Sequence, residues 1–371
     1  MERTVFYFEN ENESCLYNAQ VLRLVRQLFS DTFVVMVSAG QFTSGGSMLT
    51  PARMERSEEY MKSGADLILS LPVTSILGGY GQKEIAGAAL VQRLRVPERI
   101  VVPCIPAEGQ TLQDCEDCLR SCAMLMLREP PGYRSGLQGY LEQNMPFREA
   151  QMRAVCDVMP EATAVLSHSV NCAALWVLFA LLQLYYMAEV EFIHAPQMHP
   201  GGPCDVGTGL FHEKCRTWCF EDASERYMKG KIREILTSGT QEQLIDISGS
   251  TPQMVSVLIQ EKDTIWSLDS MEQIAQLLLP ESLERIHLFL LKMILGIRKI
   301  YMQICSLHVY VPYCHVWAEN PEKHTQIRQL AEKSWVSFAG KNYPEQKKRE
   351  EYHYLLDIDE RAEELVIGIT V

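Results

Sequence analysis

Short apolar runs alternate with amphipathic stretches along the first hundred residues. "TVFYF", "TFVVMVSAG", "ADLILSLP" and "RIVVPCIP" have the continuous apolar character of buried strands, and the segments between them carry apolar residues at the spacing of one helix face. Continuous apolar strands separated by helices are typical of a parallel sheet covered on both faces. The pattern therefore predicts an α/β fold with a Rossmann-like parallel sheet.

Beyond residue 111 the pattern becomes mostly helical. The stretch "VEFIHA" predicts one more strand, helical signals resume after about residue 215, and "HVYVPYCHVWA" and "EELVIGITV" return to strand character. The Pro- and Gly-rich segment "PQMHPGGPCDVGTG" is typical of a loop at a boundary. We predict a Rossmann-like domain over residues 1–205 and a mainly helical domain with terminal strands over residues 206–371.

The apolar run "CAALWVLFALLQLYYMA" is near membrane-spanning length but contains Gln183, so we interpret it as a buried helix rather than a membrane span. No early stretch has the form of a secretion signal. The 12 cysteines then indicate a reducing compartment, where they serve mainly as small core residues. These observations predict a cytoplasmic protein with no membrane partner.

A formal net charge of -13 argues against a surface that coats nucleic acid. We expect no DNA partner, and any contact with RNA has to be local. The few basic groups include "KGKIR" at 229–233 and "KKRE" at 347–350, and solvated helix faces explain them without an RNA partner. The sequence does not indicate an oligomeric state.

The stretch "FENENESCLYNAQ" at residues 8–20 lies between the first predicted strand and the first predicted helix. Nucleotide-binding α/β domains hold phosphates at this position. The loop nevertheless contains no histidine and no glycine, and it carries Glu9, Glu11 and Glu13. It is therefore either an altered binding loop or the remnant of one.

Two long stretches resemble the bacterial tRNA(Met) cytidine acetate ligases (TmcAL), a family of HIGH-motif nucleotidyltransferases. "VVMVSAGQFTSGGSM" is similar to the strand of that family that leads into an M-S-G-N-F turn, and "GADLILSLP" is similar to its G-V-D-L-V-V-E-L-P segment. "LERIHLFLLKMILGI" looks like its helix ending in L-L-G-I, and "LDIDERAEELVI" looks like its C-terminal D-x-R-A-x-x-L. The resemblance covers nearly the whole chain and is strongest over residues 30–95.

The resemblance implies an ATP-dependent enzyme that activates acetate and transfers the acetyl group to tRNA, with ATP and Mg²⁺ as cofactors. Aligning "LY" at 16–17 with the family's H-N-G-H-L-Y motif places Asn12, Ser14 and Cys15 at the positions of its first histidine, its glycine and its second histidine. The resemblance further assigns Gly40 and Gln41, from the turn, and Asn171, from a helix start. These residues (Asn12, Ser14, Cys15, Gly40, Gln41 and Asn171) form the predicted cofactor-binding set, and catalytic residues stay unassigned.

The departures from the family motif predict weak or absent ATP binding. Both histidines and the glycine are missing, and the arginines that the family carries would fall near His194 and Phe211, where this chain has none. We expect the three glutamates to repel a triphosphate, since the loop itself offers no cationic partner. Asn171 could contact a nucleotide or simply cap its helix.

Two cysteine patterns suggest other chemistry. Cys115, Cys118 and Cys122 share one helix face, which is typical of a core-facing surface and, less commonly, of a metal or cluster site. Five Cys and His residues within 199–219 fit no standard zinc module, so we predict no metal.

Three hypotheses follow. The first is a divergent nucleotidyltransferase-family protein that binds a nucleotide and acts in tRNA modification. The second is a pseudoenzyme that serves as an interaction or RNA-binding module. The third is a metal- or cluster-dependent protein on the same scaffold.

Overall fold

The computed structural model describes residues 3–46, 48–49, 53–78, 81–96, 98–143, 145, 147–196, 222–268, 271–278, 283–308, 311, 313–339 and 350–370, and the structural statements below concern these residues.

The described residues contain a seven-stranded sheet. Its strands are β1 (Thr4–Phe8), β2 (Phe33–Ser38), β3 (Leu67–Ser70), β4 (Glu98–Cys104), β5 (Glu189–His194), β6 (Tyr313–Glu319) and β7 (Ser337–Ala339). Their order across the sheet is β5-β4-β1-β2-β3-β6-β7. The first five strands run parallel, and β6 joins β3 in the antiparallel sense. The Rossmann-like parallel sheet predicted from the sequence is confirmed, with two strands of opposite direction added at one edge.

Helices connect the parallel strands and cover the sheet. In the first half they are α1 (Cys15–Leu28), α2 (Arg53–Lys62), α3 (Val73–Ile76), α4 (Gln82–Leu94), α5 (Leu112–Arg128), α6 (Pro131–Glu142), α7 (Phe147–Val158), α8 (Ala162–Leu166) and α9 (Ser169–Gln183). In the second half they are α10 (Asp222–Ser238), α11 (Gln241–Asp246), α12 (Pro252–Gln260), α13 (Lys262–Ser267), α14 (Met271–Leu278), α15 (Leu283–Leu295), α16 (Lys299–His308), α17 (His324–Lys333) and α18 (Glu350–Thr370). A 3₁₀ turn, Pro321–Lys323, precedes α17.

The central strands β1, β2 and β3 are buried along nearly their whole length. Both faces of such a strand are covered by helices, so it needs apolar side chains at successive positions. One apolar cluster lies on each face of the sheet, one centred on Phe6, Val35 and Leu69 and the other on Tyr7, Val34 and Met36. The continuous apolar runs in the sequence result from this two-sided burial.

Helix α9 is the apolar run interpreted above as a buried helix. Its residues from Ala174 to Leu181 are all buried, and it packs against α4 and α5. That interpretation is confirmed. Within the described parts of the chain, no helix combines the length and the apolar character needed to cross a bilayer.

The predicted strand at the C-terminal end is wrong. Residues 363–370 of this segment, "EELVIGIT", lie in helix α18, and the buried residues Leu355, Ile358, Ala362 and Leu365 recur every three or four positions. This spacing is that of one helix face. The short β-branched run at the end of the helix carries strand propensity, but the longer period across residues 355–366 determines the structure.

Each half of the chain supplies part of the structure of the other half. Strands β6 and β7 come from beyond residue 205 and complete the sheet of the first half, while Phe42, Val73 and Leu77 from the first half pack into the core of the helical half. The division into residues 1–205 and 206–371 stays a prediction about domains.

Candidate functional site

A pocket opens at the carboxyl ends of strands β1, β2 and β4. It lies where the strand order reverses, because the chain continues from β1 to β2 on one side and later returns to place β4 on the other. Ligands of open α/β sheets bind at this switch point. The space in the pocket, together with the open space at its mouth, amounts to about 560 Å³. The lining residues are Tyr7, Phe8, Glu9, Asn10, Val37, Ser38, Ala39, Leu71, Lys83, Glu84, Val101, Val102, Pro103, Val170, Ala173, Ala174 and Val177.

The loop between β1 and α1 forms one wall of the pocket, and Asn18 holds it in place. The Asn18 amide donates to the backbone oxygens of Asn10 and Ser14, at 3.1 and 3.0 Å, and its oxygen accepts from the Asn10 backbone N–H and the Tyr7 hydroxyl, at 2.9 and 2.6 Å. All four contacts come from a side chain that is 1% exposed. The loop is therefore an ordered structure with its own buried support.

Glu9 lies in the floor of the pocket with both carboxylate oxygens occupied. Oε1 accepts from Arg56 Nη1 at 2.8 Å and from the Tyr60 hydroxyl at 2.7 Å, and Oε2 accepts from the Ser38 hydroxyl and from the backbone N–H of Ala39. Burial alone would raise the pKa of Glu9, but the Arg56 guanidinium and these hydrogen bonds outweigh it and lower the pKa. Glu9 is thus a buried, ionised and fully paired carboxylate.

Glu11 forms a second buried ion pair. One of its oxygens accepts from the backbone N–H and hydroxyl of Ser44, and the other lies 3.1 Å from Lys83 Nζ. Lys83 also lies 3.5 Å from Glu84. Burial alone would lower the pKa of Lys83, but the carboxylates of Glu11 and Glu84 outweigh it and raise the pKa, so the ammonium stays charged.

The loop itself supplies no cation, but two of its glutamates have cationic partners on other elements. These partners are Arg56 on α2 and Lys83 on α4, and the loop sequence alone does not predict them. The third glutamate, Glu13, accepts a hydrogen bond from the Ser169 hydroxyl at 2.5 Å. Glu9 and Glu11 therefore act on a phosphate group less by direct repulsion than by neutralising Arg56 and Lys83, the cations that could otherwise bind it.

The predicted residues Asn12, Ser14 and Cys15 lie beside the pocket but do not line it. Asn12 is exposed, and Ser14 is the N-cap of α1, where its hydroxyl accepts from the Tyr17 backbone N–H at 3.1 Å. Burial raises the pKa of Cys15 to about 11, so its thiol is protonated at neutral pH. Their role in cofactor binding stays a prediction.

Gly40 and Gln41 follow strand β2 at the pocket's edge. Gly40 has φ of +87°, and a Cβ there would meet Ile76 Cδ1 at 3.0 Å, so this turn requires glycine. Its carbonyl accepts from Arg56, the partner of Glu9. Gln41 is 8% exposed, and its carbonyl accepts from the Leu49 N–H at 2.8 Å. Neither residue lines the pocket, and their contact with a cofactor is untested.

Asn171 does not cap its helix, because the N-cap position is His168. The fully buried amide instead connects the segment after β4 to helix α8: it donates to the carbonyls of Ile105 and Val165, at 2.8 and 2.7 Å, and accepts from the Ile105 N–H at 2.8 Å. The capping interpretation is wrong, and the assignment to cofactor binding stays a prediction. Its neighbour Val170 is the residue that lines the pocket.

The cysteine face of α5 is part of the core, as the first interpretation of that pattern predicted. Cys115 and Cys122 are fully buried, and Cys118 packs against the same cluster. Among the described residues no group of three His, Cys, Asp or Glu side chains could hold a metal ion. The Cys and His residues of 199–219 and the position of Phe211 lie outside the described residues.

The charged residues at the pocket are not among those predicted from the sequence to bind a cofactor. Lys83, Glu84 and Asn10 line it, and Arg56 neutralises its floor. Lys83 and Glu84 lie in the first turn of α4, in a segment whose sequence predicts only a helix. Two adjacent opposite charges at a helix start, after a Gly-rich turn, were the available signal.

Comparison with known proteins places these features in a wider group. No family model matches the sequence. The tRNA(Met) cytidine acetate ligase of Caldanaerobacter subterraneus subsp. tengcongensis is 29% identical over 126 residues, which are 34% of this chain and 30% of that protein. The enzyme of the same name from Fervidobacterium nodosum is 23% identical over 170 residues, 46% of this chain and 38% of that protein. These sequence matches thus span well under half of the curated relatives.

The structural likeness is more extensive. Thermotoga maritima TmcAL bound with alpha-thio ATP has a TM-score of 0.72 at 13% identity, covering 98% of this chain and 93% of that one. The apo form of the same protein has a TM-score of 0.73 with the same coverage. The resemblance found in the sequence is confirmed: this chain is similar in sequence to tRNA(Met) cytidine acetate ligases over part of its length and shares the TmcAL fold over nearly all of it.

Proposed function

We propose that this chain is a divergent, TmcAL-like nucleotidyltransferase-family protein that binds an adenine nucleotide in the switch-point pocket and acts in tRNA modification. The observation that carries the proposal is the pocket itself. It is open, it lies at the carboxyl ends of β1 and β4, and its walls are mainly apolar with a few polar groups at the floor. Small-molecule sites of α/β proteins have this form and place.

The walls suit the base and sugar of a nucleotide better than its phosphates. Val101, Val102 and Pro103 on β4 and Val170 and Ala174 on α9 line the pocket with apolar side chains. A planar base between such surfaces removes apolar area from water at about 25 cal/mol per Å². Supporting this, a protein of the same fold is bound with alpha-thio ATP.

ATP itself is expected to bind weakly. The loop lacks the family's histidines and glycine, and the cations nearest to the floor, Arg56 and Lys83, are already paired with carboxylates. Each lost charge-assisted hydrogen bond costs about 1.5–3 kcal/mol, so two or three losses move a micromolar dissociation constant to millimolar. Mg²⁺ would accompany the phosphates by family resemblance.

The names of the relatives supply tRNA(Met) as the RNA partner and acetate ligation as the reaction. An RNA partner agrees with the predicted cytoplasmic location. Because the net charge is -13, we expect the contact to be confined to a local basic surface. Binding through phosphates would weaken as salt rises.

A second candidate function is a pseudoenzyme that retains the fold as an interaction or RNA-binding module. Two buried ion pairs favour this candidate, those of Glu9 with Arg56 and of Glu11 with Lys83. In these pairs the cations bind carboxylates, whereas an adenylation reaction needs cations free to stabilise the charge on its leaving group. This candidate predicts tRNA binding without acetyl transfer.

One set of measurements tests both candidates. The chain is incubated with labelled acetate, ATP, Mg²⁺ and a tRNA(Met) transcript, and acetylated tRNA is quantified beside nucleotide and tRNA binding. Ala173→Phe, which fills the pocket from α9, should abolish nucleotide binding, and the matched Ala164→Phe on the exposed face of α8 should not. Acetyl transfer would establish the first candidate, and tRNA binding alone would favour the second. Binding that is equal in the two variants would overturn the assignment to this pocket.

A further inference from the structure

We infer that the pocket selects adenine nucleosides of low charge and takes adenosine in preference to ATP. This inference rests on the proposed function, since it refines which ligand the same pocket holds. It comes from the pairing of the charged groups at the pocket floor and reverses the preference expected of a phosphate-binding site.

The charged side chains at the pocket floor form ion pairs with one another in the absence of a ligand. Glu9, Lys83 and Glu84 line the pocket, while Arg56 and Glu11 lie behind this lining and pair with Glu9 and Lys83. The five groups together carry a formal charge of -1. The side chains of Glu9 and Arg56 are 2% exposed and those of Glu11 and Lys83 are 3% and 9% exposed, so water screens these pairs little. A triphosphate has to compete for cations that carboxylates already hold.

Breaking such a pair is costly. Removing one partner of a buried ion pair typically costs about 3–5 kcal/mol, because the other charge stays buried and unpaired. A phosphate that drew Lys83 away would leave Glu11 in that state, with only the Ser44 hydrogen bonds. An uncharged nucleoside meets no such cost, because it uses the apolar walls and leaves both ion pairs intact.

A further cation, Arg148, lies close enough to Lys83 to act on its pKa. The Arg148 guanidinium lies 5.6 Å from the centroid of the Trp176 ring, a residue that does not line the pocket, and it is partly exposed. It acts on Lys83 by opposing its charge, which adds to the reasons for Lys83 to stay with its carboxylates.

The test is to titrate adenosine, AMP and ATP, with and without Mg²⁺, into the full chain at one ionic strength. We expect adenosine to bind at least ten times more tightly than ATP, with AMP between them. Glu11→Gln should release Lys83 and tighten ATP binding about tenfold while changing adenosine less than twofold. The matched control is Glu58→Gln, an identical change at an exposed carboxylate of α2 that pairs with Lys62, and it should change neither.

Circular dichroism would establish that Glu11→Gln folds, and Glu84→Gln, at the helix start, provides a second variant with the same expected direction. Tighter binding of ATP than of adenosine would overturn the inference and leave the proposed function in place. An unchanged ratio of ATP to adenosine affinity in both folded variants would also overturn it. No binding of any of the three ligands would overturn nucleotide binding itself, and with it this inference.

Discussion

At the scale of single residues, the buried pair of Glu9 and Arg56 should be among the most sensitive points of the molecule. Arg56→Met leaves the Glu9 carboxylate buried without its cation, so we expect the free energy of unfolding to fall by about 3–5 kcal/mol in chemical denaturation. The double variant Glu9→Gln with Arg56→Met should lose less, because no lone charge remains. Arg23→Met, whose pair with Glu59 is half exposed, is the control and should cost less than about 1 kcal/mol. Equal losses in the two single variants would contradict this account.

The same pair makes stability depend on pH in a defined direction. The folded-state pKa of Glu9 is lowered, so its contribution is fully present above the ordinary carboxyl pKa of about 4 and is lost as pH falls through the folded value. As pH falls below about 4, the parent protein should lose unfolding free energy more steeply than the double variant. Parallel curves in that range would show that Glu9 does not contribute.

Lys292 is a buried lysine, and burial lowers its pKa to about 8, so its charge destabilises the folded protein. Below pH 8 the folded protein carries a buried ammonium, and between pH 8 and about 10.4 the unfolded chain binds a proton that the folded one does not. Stability should therefore rise with pH in that window. Across this window the gain in unfolding free energy should be at most roughly 3 kcal/mol.

Lys292→Met should accordingly stabilise the protein at pH 7 and lose that advantage near pH 10. Thermal or chemical unfolding at several pH values measures this. Lys333→Met, at an exposed position near the end of α17, serves as the control and should have little effect at either pH. A destabilised Lys292→Met protein at pH 7 would show that the ammonium has a favourable partner.

At the scale of elements, Asn171 connects the end of β4 to helices α8 and α9. Asn171→Leu removes the partner of three backbone groups, two on Ile105 and one on Val165. Buried polar groups left without a partner cost about 1–3 kcal/mol each, so we expect a loss of about 3 kcal/mol and faster hydrogen exchange at Ile105. Asn12→Leu, at an exposed position, should stay within about 0.5 kcal/mol. Unchanged stability with lost nucleotide binding would instead identify Asn171 as a ligand contact.

The elements of the first half could be predicted from the sequence because their signals are local. The apolar runs of β1 to β4 and the helical spacing between them each occupy one window of the chain. The pocket floor could not be predicted in the same way, because Arg56 is 47 residues from Glu9 and only the packing of α2 against the sheet brings them together. Helix α18 shows the converse case, because a short β-branched segment predicts a strand locally while the longer helical period that contains it determines the structure.

At the scale of the whole molecule, the sheet is assembled from both halves of the chain. We expect a chain ending at residue 205 to aggregate or stay unfolded, because it lacks β6 and exposes the edge of β3 as well as the cluster that receives Cys314 and Phe338. Co-expression with residues 206–371 should recover soluble material. Sedimentation and circular dichroism of the two preparations provide the measurement, and a folded, monomeric 1–205 fragment would contradict this prediction.

The pairing of β3 with β6 also has a consequence for synthesis. Leu67 pairs with Glu319, so the ribosome has to translate most of the chain after β3 before its partner strand exists. At about 5–20 residues per second this takes on the order of 12–50 s, far longer than the microseconds in which a short chain collapses. The nascent protein therefore carries an open strand edge for most of its translation. Chaperone supply and elongation rate, rather than the stability of the finished fold, should then limit how much active protein a cell obtains.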